Sequence, residues 1–330
     1  MYQQIIDKIK GAHSIVITSH KSPDGDSIGS SLGLFQFIQK LNKQVTICHP
    51  DKAPSFLLWM EDIEAIHTLE ENPETVKQLV EKADLIFSLD YNSLSRVGEE
   101  MQALLETASA DFIMIDHHLH PDDFAAICVS KPEICSTSQL IFEVIAHSSE
   151  ANLLDARIAT PLYLGIVTDT GSFRYPSVDA RTHEIIAEML KLGVVHYKIH
   201  ENTFDQNSVN RLRLRGFATS EKLEILHHGK VAMISLTEEE LNRFEFQKGD
   251  TEGLVNIALS IEGVKAAAFF AEKEGKIKIS FRSKGDYEVN VLSNENFNGG
   301  GHKYAAGGIS ELPMNDTIEK FKSLIPNYFD

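Results

Sequence analysis

The sequence predicts an α/β protein: a mostly parallel, doubly wound sheet domain followed by a smaller α/β domain, the two joined by a helical linker. Three observations predict it. At 330 residues the chain exceeds the usual size of one domain. Its first 170 residues alternate short apolar runs with amphipathic stretches, as βαβ units do. After residue 222 the texture changes to strand pairs separated by turn signals. The expected divisions are 1–194, a linker at 195–221, and 222–330.

Taken in order, Ser14–Ser19 (SIVITS) is an apolar run of strand length. Residues 29–41 (GSSLGLFQFIQKL) recur at helical spacing, and Val45–Cys48 reads as the next strand. Leu85–Leu89 (LIFSL) and Phe112–Ile115 (FIMI) repeat the strand signal, each after a polar helical stretch. Unbroken apolar runs of this length suit strands covered on both faces of a parallel sheet. Residues 138–147 predict a helix with Ser136 or Ser138 near its N-cap, and 180–192 another, stopped by Gly193. From 195 to 221 the pattern is polar and helical, including NRLRLRG at 210–216, and reads as one connecting helix. Beyond it, LEILHHGKVAMISL, VKAAAFFAE and KIKISFRSKG read as strands, with EKEGK as a hairpin turn. TEGLVNIAL and 315–325 supply helices.

Composition narrows the function classes. Hydrophobic content of 42% and charged content of 24% describe an ordinary soluble globular chain. A net charge of −17 argues against a long nucleic-acid duplex as partner, because such binding needs an extended basic surface. A small anionic substrate stays open, since bound cations and a few local basic groups reverse the potential inside one cleft. Cys48, Cys128 and Cys135 form no CxxC pair and read as reduced thiols. The first residues, MYQQIIDKIKGAH, lack an apolar signal core, and no apolar run reaches membrane-spanning length. The expectation is a soluble cytoplasmic protein with no membrane partner; a homodimer is left open.

Metal-ligating residue types recur at one kind of place. His20, Asp24 and Asp26 follow the first strand directly, in SHKSPDGDSIGS, on a turn that Pro23 and Gly25 permit. Asp90 closes the strand LIFSL, and Asp116-His117-His118 closes FIMI. Asp169 follows an apolar segment in LGIVTDTGSF. Singly, each has an ordinary reading as a turn, cap or solvated-loop residue. Together, three of the clusters fall at the C-terminal ends of parallel strands, the edge where open α/β sheets place their ligands. Adjacent histidines point in different directions, so His117 and His118 are not expected to share one ion. Imidazole mixed with carboxylate favours Mn²⁺, with Mg²⁺ or Co²⁺ as alternatives.

The second domain carries Asn298-Gly299-Gly300-Gly301-His302. Successive glycines let backbone N–H groups converge on an anion as a nest, with His302 and Lys303 at its rim. Arg282, on KIKISFRS, has the fork geometry to hold a phosphate through two parallel hydrogen bonds. Arg174, in GSFRY, is a lesser candidate for the same task.

With HKSPDGDS, the Asp90 segment, DHH at 116–118, TDTGSFRY at 168–175, FRS and NGGGHKYAAGG, the chain resembles the DHH phosphoesterase family. The likeness is to the branch with a DHH-associated C-terminal domain, of the oligoribonuclease/pAp-phosphatase (nanoRNase) type, and runs over about residues 10–310. It implies a metal-dependent phosphoesterase acting on short oligonucleotides or mononucleotides through two divalent ions. It implies that His20, Asp24 and Asp90 hold one ion and that Asp26, Asp90, His117 and Asp169 hold the other, with Asp90 shared. His118 would face the scissile phosphate, and Asp116 would support the histidines. Arg282, the glycines and His302 would grip the nucleotide; Asn298 stands where many relatives carry a fourth glycine. Two ions held so can activate water and clamp the attacking and leaving oxygens of an in-line displacement, so no protein nucleophile is required.

Other readings share parts of this chemistry. A cyclic- or linear-dinucleotide phosphodiesterase carries nearly the same motifs. A family II pyrophosphatase would lack the GGGH domain, and a RecJ-like exonuclease would be longer and more basic. From another class, a nucleotide sensor without turnover would not need an intact ligand set.

Overall fold

Apolar runs that stay covered on both faces build the first sheet. In the computed structural model, which describes residues 1–329, its strands are β1 (Ser14–Ser19), β2 (Gln44–His49), β3 (Ile66–Thr68), β4 (Leu85–Leu89), β5 (Asp111–Asp116) and β6 (Ile127–Ser130). All pairings are parallel, in the order β3-β2-β1-β4-β5-β6. The chain winds outward from β1 in one direction and from β4 in the other, so a crevice opens where the C-terminal ends of β1 and β4 diverge.

Helices α1 (Tyr2–Gly11), α2 (Gly25–Lys40), α3 (Pro73–Lys82), α4 (Glu99–Glu106), α5 (Thr137–Ala146), α6 (Ala156–Asp169), α7 (Ala180–Lys191) and α8 (His196–Thr203) complete this unit. Alternate strand residues feed two cores. Ile15, Ile17, Phe87 and Ile113 meet α1, α2, α5 and α6, whereas Val16, Ile86 and Phe112 meet α3 and α4. Helices α2 and α6 touch backbone to backbone. A Cβ on Gly29 would lie 2.3 Å from the Pro161 carbonyl oxygen, which any side chain would push away.

The second unit begins at Asn207. It contains α9 (Val209–Glu221), β7 (Leu223–Leu226), β8 (Val231–Leu236), α10 (Glu238–Arg243), α11 (Leu254–Leu259), β9 (Ala266–Lys273), β10 (Lys276–Ser283), α12 (Val289–Asn296), β11 (Gly300–His302), β12 (Ala305–Ser310) and α13 (Met314–Phe329). Its sheet runs β11-β12-β10-β9-β8-β7, antiparallel except between β8 and β9. Phe270, Phe281 and Phe321 build the core on one face; Leu214, Ile234 and Phe269 build it on the other. The EKEGK turn joins β9 to β10 through Glu274 and Gly275, both at positive φ (53° and 74°), as a two-residue hairpin demands.

The stretch 195–221, expected as one connecting helix, is two. Helix α8 buries Ile199 in the first unit's core, and α9 buries Leu214 and Ala218 in the second's. Ser208 caps α9 by accepting the Arg211 N–H. Two apolar stripes anchored in different cores require a break, and the first unit ends at Gln206. No helix among the described residues is long and apolar enough to cross a membrane.

Candidate active site

The loop after β1 is shaped by a helix cap. Asp24 caps α2, its carboxylate accepting the Asp26 and Ser27 N–H groups at 3.0 Å, while Ser27 Oγ accepts the Asp24 N–H. That box sets Asp26 in the first turn of α2, buried. The N-terminus of α5 meets it there: the N–H groups of Thr137 and Ser138 donate to Asp26 at 2.7 and 2.9 Å. Ser136 caps α5, as its position in the sequence predicts. Asp90 follows β4 with φ +63°, a left-handed conformation uncommon for non-glycine residues but one that Asp tolerates better than most. Asp169 is the last residue of α6.

These elements gather the acidic and imidazole groups at the crevice. His20 Nε2 lies 3.4 Å from Asp90 Oδ2 and 3.8 Å from Asp24 Oδ2. His117 Nε2 lies 3.5 Å from Asp90 Oδ1, 3.4 Å from Asp169 Oδ2 and 3.9 Å from Asp26 Oδ2. The donor sets include His20–Asp24–Asp90, Asp26–Asp90–His117 and Asp90–Asp116–His118, and the two oxygens of Asp90 face His20 and His117 respectively. Asp169 joins the second through His117.

The donors fit divalent cations on chemical grounds. The Nδ1 atoms of His20 and His117 are hydrogen-bonded to the carbonyls of Lys21 (2.9 Å) and Ile134 (3.2 Å), which orients each Nε2 toward the carboxylates. Burial opposes charging His20, yet Asp24 and Asp90 outweigh it and hold the imidazole pKa well above its usual value. His117 behaves likewise: burial is overcome by Asp90, Asp169 and Asp26. Burial, then repulsion from Asp90 and Asp169, pushes Asp26 well above the carboxylate range. Asp90 goes the other way, its burial outweighed by His117 and His20. The protons kept by His20, His117 and Asp26 balance the crowded carboxylates, and a divalent cation bound there would displace them.

His118 stands beside this arrangement. Its Nδ1 lies 2.7 Å from Asp116 Oδ1, and its backbone N–H donates to Asp116 Oδ2 at 2.8 Å. Asp116 therefore fixes the ring of His118, and the adjacent rings of His117 and His118 stand edge to face at 68°. Sequence reasoning took the 136–138 segment only as a helix cap. In the structure Thr137 Oγ1 also donates to Asp90 Oδ1 at 3.1 Å. It likewise missed the buried chain beneath Asp90, in which the Tyr91 hydroxyl meets Thr18 Oγ1 at 2.7 Å and Ser88 Oγ at 2.8 Å. A run of Thr and Ser inside otherwise apolar strands was the available signal.

The remaining expected residues are arranged differently. Gly300, Gly301 and His302 form β11, paired antiparallel with β12, and are not a nest. N–H groups alternate in direction along a strand, so they do not converge on one anion. The glycines serve close approach: a Cβ on Gly299 would lie 2.0 Å from the Gly307 carbonyl oxygen, and one on Gly301 would lie 2.5 Å from that of Ala305. A Cβ on Gly300 would meet nothing. Arg282 Nη1 bonds the carbonyl of its neighbour Phe281, while its buried Nε has no hydrogen-bond partner. Arg174 is exposed beyond a turn of three left-handed residues, Gly171, Ser172 and Phe173, and its Nε donates to the Gly171 carbonyl at 2.6 Å.

Comparison with known proteins agrees with this architecture. Residues 14–166 match the N-terminal domain of the DHH family, and residues 228–329 match the DHHA1 domain. The chain is 30% identical to a bifunctional oligoribonuclease and PAP phosphatase from Thermus thermophilus, over 96% of this chain and 90% of that one. It is 28% identical to a cyclic-di-AMP phosphodiesterase from Geobacillus thermodenitrificans over 98% of its own length, spanning 48% of that protein. The crystal structure of an exopolyphosphatase-related protein from Bacteroides fragilis, 39% identical, superposes with a TM-score of 0.94 over 99% of this chain and 96% of that one. The chain belongs to the DHH family, in the branch that carries a DHHA1 domain.

Proposed function

We propose that this chain is a phosphoesterase that hydrolyses short oligoribonucleotides and 3′,5′-bisphosphonucleotides such as pAp. The observation that carries the reading is Asp90, whose two oxygens face two separate His/Asp donor sets. The likeness to an oligoribonuclease and PAP phosphatase supports the substrate class. His20, Asp24 and Asp90 would hold one ion, and Asp26, Asp90, His117 and Asp169 the second. Two divalent ions, Mn²⁺ foremost because imidazole and carboxylate donors are mixed, would supply the activated water and the charge stabilisation for in-line displacement at phosphorus.

The chain's own groups divide the remaining work. Asp116 holds His118 Nδ1, so the imidazole would meet a phosphoryl or leaving oxygen through Nε2, as charge stabiliser or acid. The first unit would supply this chemistry and the second would hold the substrate. Arg282, on β10, would offer its guanidinium to a substrate phosphate. Gly300, open on its Cβ side, and His302 on the edge strand would contact the nucleotide, with Arg174 as a lesser phosphate contact.

The likeness to a cyclic-di-AMP phosphodiesterase supports a second reading, cleavage of cyclic or linear dinucleotides. One experiment separates the two: pAp, di- to pentaribonucleotides, cyclic dinucleotides and pyrophosphate, compared at equal Mn²⁺ concentration. Highest kcat/KM on pAp and short RNA is expected. Highest kcat/KM on a cyclic dinucleotide would replace the first reading with the second, and turnover of pyrophosphate alone would sink both.

A further inference from the structure

The shared carboxylate raises a geometric question. Rotation about the last side-chain bond of an aspartate is soft, so nothing intrinsic keeps one oxygen of Asp90 toward His20 and the other toward His117. Turned through part of a revolution, the same carboxylate would give both oxygens to one set and leave the other short.

Thr137 answers it. This residue is fully buried at the first position of α5. Its N–H donates to Asp26 Oδ2 at 2.7 Å, and its Oγ1 donates to Asp90 Oδ1 at 3.1 Å. A threonine deeper in a helix commonly turns its hydroxyl back on the carbonyl four residues earlier. At the first position no helical turn precedes it, so the hydroxyl is available to a neighbouring group. The backbone beneath it is fixed by Ser136, which caps the helix, and by the Ser138 N–H, which holds Asp26 Oδ1 at 2.9 Å.

We infer that Thr137 is a positioning residue that sets the carboxylate plane of Asp90, holding Oδ1 on the His117 side so that Oδ2 is left for the His20 side. By binding Asp26 through its backbone and Asp90 through its side chain, it also fixes the separation of two carboxylates in the second donor set. It acts through Asp90 and not on substrate. The inference rests on the proposed dinuclear site.

The test uses the full chain and two substitutions. Thr137→Val keeps the shape and the N–H bond to Asp26 but removes the hydroxyl; Thr137→Ser keeps the hydroxyl. Calorimetric titration with Mn²⁺ alone is expected to find two ions on the wild type. It should find one of them weakened about 10- to 100-fold in the valine variant, in line with other supporting partners of metal ligands, and near-normal binding in the serine variant. With saturating substrate the valine variant should lose kcat while KM changes little, and serine should restore it. A packing role alone would be satisfied by valine. Two ions bound at wild-type affinity by Thr137→Val, with unchanged kcat, would overturn the inference while leaving the dinuclear site standing. Failure of the wild type to bind any divalent ion would overturn the site itself, and the inference with it. Should the valine variant not fold, Thr137→Ala lacks the same hydroxyl and takes its place in the comparison.

Discussion

The two units of this chain bury different kinds of polar group. Inside the first lie His20, Asp26, His49, Asp90, Asp116, His117 and His118, seven acidic or imidazole side chains, each under a tenth exposed. The polar side chains buried in the second, among the described residues, are Ser235, Ser283, Ser293, Ser310 and Thr317, all neutral hydroxyls. A hydroxyl satisfied by one carbonyl, as Ser293 is by Gly307 and Ser283 by Tyr287, costs little to bury. A buried charge costs far more unless it is paired, coordinated or neutralised. The first unit thus stores unfavourable electrostatics in a cluster of acidic and imidazole groups that protons or cations must relieve, whereas in the second the buried charge lies at the Nε atoms of Arg211, Arg215 and Arg282.

The hardest blow to that comparison is Asp90→Asn. A neutral amide cannot draw two cations together, so turnover should fall to background and bound metal should be lost. The same change removes a buried negative charge from beside Asp26 and Asp24. It also removes the charge that His117 and His20 hold in place, so without metal the thermal midpoint should fall. Metal analysis and calorimetry on chelator-treated protein check both halves. A stable variant with full metal occupancy and wild-type turnover would remove Asp90 from the site.

His118→Ala cuts finer, because the His118 Nδ1 is taken up by Asp116 at 2.7 Å and lies farther, 3.8 Å, from Asp90 Oδ1. Both ions should remain, with kcat lowered on the order of 10²-fold, the range for a positioned acid or charge-stabilising group. Loss of one ion would mean that the neighbours His117 and His118 exchange roles.

The comparison also explains what the sequence reveals. Strands β1, β4 and β5 are legible because unbroken apolar runs end abruptly in His or Asp, and a buried charge has no ordinary reason to follow such a run. Helix α6 is not legible as a helix. Its residues Leu162 to Val167 are buried on every side, so no polar face betrays the helical period, and Asp169 reads only as a residue after an apolar segment. The three-residue β3 and four-residue β6 are too short to stand out at the sheet edges. Thr137 is invisible because its role depends on Asp26 and Asp90, far away in sequence. The glycine triplet misleads for a related reason. Whether glycines form a nest or a tight strand pair depends on what lies across from them, here Gly307 and Gly308.

A third substitution sharpens the other half of the contrast. If the second unit only holds the substrate, Arg282→Ala should raise KM for a dinucleotide on the order of 10-fold, the worth of one charge-assisted hydrogen bond, with little loss of kcat. Hydrolysis of p-nitrophenyl-TMP, a minimal ester, should hardly change. Equal slowing of both substrates would give Arg282 a part in the chemistry and blur the division between the units.

The smallest expected effect concerns stability alone. His49, at the end of β2, is fully buried; its Nε2 lies 3.0 Å from Ser31 Oγ and its Nδ1 has no hydrogen-bond partner. Burial, aided by the charge of His20, lowers its pKa to about 3 from an ordinary 6.5. The folded protein keeps His49 neutral where the unfolded chain would protonate it, so its contribution is complete above pH 6.5 and is lost as pH falls toward 3. Each pH unit in that window should cost the wild type about 1.4 kcal/mol through this residue. His49→Gln retains a polar partner for Ser31 but cannot titrate. Below pH 6.5, His20 and His117 are charged in both the folded and the unfolded states, so their contribution stays level. Asp26, held high by burial and its carboxylate neighbours, pulls in the opposite direction, but equally in wild type and variant, and so cancels in the difference. Urea unfolding of metal-free protein at pH 6.5, 5.5 and 4.5 should therefore give a gap between variant and wild type that shifts steadily in the variant's favour as the pH falls. A gap that stays constant with pH would mean that His49 is not kept neutral, and that the first unit's interior tolerates charge better than the comparison between the units implies.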